Sequence, residues 1–172
     1  HEFNRREDVY CERVFAPWTD MEEQMRQNHI PLFSLESYAP LSDFDFVGFT
    51  LQYEMSFTNI LNMLNLGGIP LESKERDEHF PIICAGGPTA YNPEPLAPFI
   101  DFFYFGEGEA VFHQIFDAYG LHKRGGKSKQ EFLESIAGIP GIYIPSFYDV
   151  QYHDEPAAGC QHTDRKSTRQ NS

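Results

Sequence analysis

An α/β fold with a doubly wound, mostly parallel sheet is predicted by three observations. Residues 46–51 (FVGFTL), 81–85 (PIICA) and 101–105 (DFFYF) are short apolar runs without polar alternation. That is the pattern of strands buried on both faces. Each run is followed, directly or after a loop, by apolar residues at helical spacing or by a glycine-rich turn into a helix. Strands that alternate with amphipathic helices specify a parallel sheet covered on both sides, and right-handed crossovers make it doubly wound, as in flavodoxin-like and Rossmann-like sheets.

The elements follow in chain order. Residues 9–15 (VYCERVF) read as a strand. A helix is expected from Thr19, with Thr19 and Glu22 as a capping box and Pro31 as its stop. Residues 32–35 form a short extended piece, and the 46–51 strand comes next. Ser56 caps a second helix whose Phe57, Ile60, Leu61 and Leu64 make one apolar face, and Gly67 and Gly68 end it. Residues 72–79 read as a charged surface loop before the 81–85 strand, and residues 92–98, with three prolines, as a loop with one helical turn. After the 101–105 strand, a helix carries Val111, Phe112, Ile115, Phe116 and Tyr119 on one side and closes at Gly120. A basic loop at residues 122–129 leads to a last helix. Ser128 and Glu131 form its capping box, Phe132, Leu133 and Ile136 face inward, and Gly138 ends it. Residues 141–145 (GIYIP) are a final strand or edge.

Composition bounds the function. The chain has 172 residues, 41% of them apolar and 15% aromatic, enough for one domain with a proper core. Its formal net charge of −13 disfavours contact with a phosphate backbone, so no nucleic-acid contact is expected from this segment. Cys11, Cys84 and Cys160 are too far apart for a metal knuckle or a disulfide framework, and Cys84 reads as a small buried hydrophobe. A reducing cytoplasm and no membrane contact are expected.

The domain is expected over residues 1–153, with 154–172 a disordered tail. Residues 156–172 contain no Val, Ile, Leu, Met or aromatic side chain, and residues 163–172 read as foreign to the rest. Residue 1 is His, and the opening residues run uncapped into a strand-like segment, so the sheet is expected to lack its first strand.

Ligands of such sheets bind at the carboxyl ends of the strands. Three loops arrive there: residues 52–56, residues 86–90 (GGPTA) and residues 106–109 (GEGE). Glycine lets backbone approach a ligand closely, and a helix start offers free N–H groups. Taken singly, each glycine is also explained by a tight turn. No GxGxxG, Walker loop or GxSxG elbow is present, which removes support for classical dinucleotide, nucleotide-hydrolase and serine-hydrolase chemistry. Glu107 and Glu109 make a poor carboxylate pair. His153, Asp154, Cys160 and His162 sit in a tail too poor in core residues to fix a metal, and Lys123, Arg124, Lys127 and Lys129 read as a solvated basic loop. No catalytic residue and no metal ligand is expected.

Taken together, FVGFTLQ, a helix, PIICAGGP and NPEPLAPFIDFFYFGEGE resemble the cobalamin-binding-like N-terminal domain of certain radical S-adenosylmethionine (SAM) proteins. Thr50, the Gly86-Gly87-Pro88 loop, and Asp101 with the loop from Gly106 to Glu109 match that pattern. NRREDVYCERVFAPW is similar to a poorly characterised subgroup, and the resemblance covers about residues 3–153. It implies a cobalamin over the strand ends, contacted by Thr50, Leu51, Gln52, Gly86, Gly87, Pro88, Gly106, Glu107 and Gly108. It also implies that a four-iron four-sulfur cluster and SAM belong to a downstream domain, the natural partner of this one. The cluster-binding CxxxCxxC motif is absent here, as is the DxHxxG loop that supplies a histidine to cobalt. Two other readings stand beside this one: a docking module with the same fold and no small ligand, and a flavodoxin-like flavin domain. The lack of a Ser/Thr-rich phosphate loop disfavours the flavin domain.

Overall fold

The computed structural model describes residues 3–106, 108–126, 128–150 and 167–169. Four strands form one sheet in the order β1 (Phe46–Thr50), β2 (Ile82–Gly86), β3 (Phe102–Tyr104) and β4 (Ile142–Tyr143). β1, β2 and β3 run parallel, with Gly48 opposite Cys84 and Cys84 opposite Phe102. β4 is antiparallel to β3 and forms the far edge.

Alternate side chains of the sheet enter two separate cores. Val47, Ile83, Ala85 and Phe103 pack with α2 (Phe57–Leu66) and with Met25, Leu32 and Leu41. Ile82, Cys84 and Phe102 pack against α3 (Glu109–Gly125) and α4 (Lys129–Ile136). Both faces of β2 and β3 are therefore covered, which explains why their residues do not alternate. Full burial also pushes the Cys84 thiol up to about 12, so it acts as an inert packing group. No described helix is long and apolar enough to cross a membrane.

Several local expectations are corrected. Residues 9–15 form no strand: the Arg13 N–H goes to the Glu36 carboxylate (2.8 Å), and the Arg13 carbonyl accepts from Leu35 N–H (2.9 Å). Tyr10 and Phe15 are exposed, so the segment gains little from sheet burial. In α1 (Thr19–Gln27) the cap position belongs to Trp18 and no side chain caps it. Glu22 instead accepts from Arg26 (2.9 Å) and Asn62 (2.8 Å), tying α1 to α2. Ser56 precedes α2 but donates its hydroxyl to the Tyr53 carbonyl rather than capping. α3 passes through Gly120 and ends at Gly126, which takes the left-handed conformation (φ 61°). The expected basic loop thus begins as the last turn of α3, where His122, Lys123 and Arg124 complement the helix dipole. The capping box of α4 forms as read: Ser128 accepts from Glu131 N–H, and the Glu131 carboxylate accepts from Ser128 N–H.

In the tail, Tyr148–Val150 (β5) pairs antiparallel with Ser167–Arg169 (β6). The rest of residues 154–172, and His153, lie outside the described residues, as do the cysteine and histidines weighed there as metal ligands.

Asp101 holds the amino-terminal ends of the strands together. Its carboxylate accepts from Ile83 N–H (2.7 Å), Arg76 Nη2 (3.0 Å) and the Ser73 hydroxyl. Arg76 also donates to the carbonyls of Pro70, Leu71 and Phe99. Both side chains of this pair are 0% exposed. Removing one member of a buried ion pair leaves its partner uncompensated. Asp101→Asn is accordingly expected to lower unfolding stability by roughly 3–5 kcal/mol, read as a fall in the urea midpoint.

Candidate functional site at the carboxyl ends of the strands

The parallel register brings the three anticipated loops to one rim. Thr50 lies opposite Gly86, and Gly86 opposite Tyr104. The residues that follow each strand therefore emerge side by side. Thr50 and Gln52 are exposed there, whereas Leu51 is fully buried and lies in the α2-side core.

The first two loops are clasped through their backbones. Leu51 N–H donates to the Gly86 carbonyl (2.7 Å), and Thr89 N–H donates to the Leu51 carbonyl (3.1 Å). Leu51 thus offers neither side chain nor backbone to a ligand and serves as the floor of the rim. Gly87 has φ 110°, and a Cβ there would stand 2.8 Å from the Leu51 carbonyl oxygen. The glycine is required by that contact, before any ligand is considered. Pro88 opens the 3-10 turn Pro88–Tyr91, and the Thr89 hydroxyl oxygen is buried without a hydrogen-bond partner among the described residues.

The third loop follows β3. Gly106 has φ 123° and sits beside the Tyr104 hydroxyl, and Gly108 occupies the N-cap position of α3. Glu107 lies outside the described residues.

An aromatic row, not anticipated from the sequence, runs across this end. Exposed Tyr91 stacks on Phe105 with centroids 5.5 Å apart and planes at 17°. Phe105 in turn stacks on Tyr143 at 6.1 Å and 22°. Tyr53 and Met55, from the loop after β1, are exposed as well. The rim therefore presents exposed aromatic and Met side chains together with the polar Thr50, Gln52, Glu54 and Asn92. Such a surface accepts a planar ligand or an apolar protein face. It carries no described cluster of His, Cys, Asp or Glu able to hold a metal.

The sequence reading also missed the buried trio of Arg76, Asp101 and Lys129. Lys129, read as solvated, stands 2.9 Å from Asp101 with its side chain 13% exposed. The available signal was Asp101 itself: an acid directly before a strand buried on both faces needs a cationic partner.

Two glycine substitutions separate the rim from the helix. Gly87→Ala places a methyl group against Leu51 backbone at positive φ and is expected to cost more than about 1 kcal/mol. Gly120→Ala lies inside α3 with nothing within 4 Å of the added carbon and is expected to stabilise by about 0.5–1 kcal/mol. Thermal or urea unfolding of the two variants reads both signs.

Comparison with known proteins places this geometry. The family model described as the N-terminal part of radical SAM proteins matches residues 1–145. No curated protein and no solved structure matches. The family match spans every strand of the four-stranded sheet and all three loops of the rim. The chain belongs to the radical SAM proteins and carries their N-terminal domain.

Proposed function

We propose that this domain binds cobalamin across the carboxyl rim of its sheet and serves as the accessory domain of a radical SAM enzyme. On this reading, the iron–sulfur cluster and SAM are held by a separate catalytic domain. The observation that carries it is the shared register of Thr50, Gly86 and Tyr104, which gathers three loops under an exposed aromatic surface.

The residues present fit such a group in shape and polarity. A corrin is flat and apolar on its faces and carries amide arms at its edge. Tyr53, Met55 and Tyr91 offer apolar contact, and the Thr50 hydroxyl and Gln52 amide offer hydrogen bonds to those arms. Gly86, Gly87, Gly106 and Gly108 carry no side chain to hold a ligand away from the backbone, and Pro88 fixes the turn beside them. When bound, cobalamin would supply cobalt-centred group transfer. The chain's own part is to orient the macrocycle and exclude water from its lower face.

A docking module is the second reading, and one observation favours it. Gly87 is fully accounted for by Leu51 backbone, so that glycine needs no ligand to explain it. The aromatic rim would then pack directly against the catalytic domain.

Spectroscopic titration with hydroxocobalamin tests the first reading. A saturable shift of the visible bands is expected. Tyr91→Ala is expected to weaken binding several-fold, corresponding to loss of about 1 kcal/mol of aromatic contact. An unchanged spectrum in the full-length protein, together with loss of stability in rim variants, favours docking instead.

A further inference from the structure

A second site, separate from the rim, lies at the opposite end of the sheet. A cavity of about 640 Å³ opens there, between the loop at residues 72–78, the turn at 97–100, the start of α4, and Pro145 and Ser146. Its walls include the apolar side chains of Pro98, Ile100 and Leu133, and both Arg76 and Lys129 line it.

The charges beneath this cavity do not balance. Arg76 and Lys129 are cationic, and Asp101 is the anion buried between them. Asp101 also accepts from Ser73, Arg76 and Ile83 N–H. Lys129 Nζ stands 2.9 Å from it as an ion pair and has no other acceptor among the described residues. Arg76 Nε is buried and unpartnered among the described residues. Burial pulls the Lys129 amine below its ordinary range, with Asp101 opposing that fall. Glu78 attracts it as well but is exposed to solvent, and Glu72 is engaged with Lys74 at 2.6 Å. Buried donors without acceptors are expensive, and a net buried positive charge more so. The start of α4, with Lys129 as its first residue, adds the positive end of a helix dipole.

We infer that this cavity binds a small monocarboxylate with an apolar body, its carboxylate drawn to Lys129, with the positive charge of Arg76 buried behind it. One negative charge matches the net positive charge of the buried trio Arg76, Asp101 and Lys129. A dianion such as phosphate is disfavoured by Glu72, Asp77 and Glu78 along the mouth. The Pro98, Ile100 and Leu133 walls accept a short aliphatic chain.

The test is an NMR titration of the full chain with sodium butyrate, using n-butylammonium chloride and sodium chloride at equal ionic strength as controls. Saturable shifts at the amides of Ile100, Gln130 and Leu133 are expected with butyrate alone. Lys129→Met is expected to weaken binding about tenfold or more, the worth of a charge-assisted hydrogen bond, and Lys129→Arg to retain most of it. Equal responses to butyrate and to either control overturn the inference, as does undiminished butyrate binding in a folded Lys129→Met variant. Should Lys129→Met fail to fold, the wild-type comparison of butyrate with butylammonium decides alone.

Discussion

The Asp101 carboxylate is the point from which the amino-terminal half of the sheet is assembled. It sits directly before β3 yet reaches the backbone of β2 through Ile83, the preceding loop through Ser73 and Arg76, and α4 through Lys129. Arg76 extends the tie to the chain leaving α2 and to Phe99. Segments distant in sequence thus share one negative charge. A pair buried this deeply adds little net stability over well-packed apolar groups, but it penalises any arrangement in which a partner is missing. That penalty disfavours any pairing of β2 and β3 that separates Asp101 from Ile83 N–H.

The two ends of the sheet are built on different physics. At the amino end, polar side chains satisfy loop backbone, and Tyr119 and Lys123 of α3 both reach Asp45 just before β1. At the carboxyl end, backbone meets backbone through Leu51, and stacked rings supply the surface. The charged end is internally committed apart from its orphaned donors. The aromatic end has contact surface to give.

Much of this was legible in the sequence. The runs at 46–51, 81–85 and 101–105 announced parallel strands, and in β2 and β3 burial on both faces removes polar alternation, whereas edge strand β1 leaves Gly48 and Thr50 exposed. The Ser128 and Glu131 box is a local device and formed as read. The misreadings arose where tertiary contacts outweighed local pattern. Glu22 was drawn away from a capping role by Arg26 and Asn62 of two different helices. Gly120 did not stop α3 because a helix tolerates one glycine when Ile115 and Tyr119 on its inner face keep packing. Residues 9–15 had strand composition but no vacant ladder partner at hand. The three loops of the rim were found because strand direction alone brings them together. The Tyr91, Phe105 and Tyr143 row was not, since its members come from three loops and edges with no shared periodicity.

The antiparallel course of β4 gives the molecule a strut. The chain at Gly141 receives Phe105 N–H at the carboxyl rim, and a few residues later Pro145 and Ser146 wall the cavity at the amino end. Tyr143, midway, belongs to the stacked row. At the rise of a strand this stretch spans about 15 Å. The rim and the cavity are therefore joined by one short length of backbone at the sheet's edge, so neither end is far in sequence from the other.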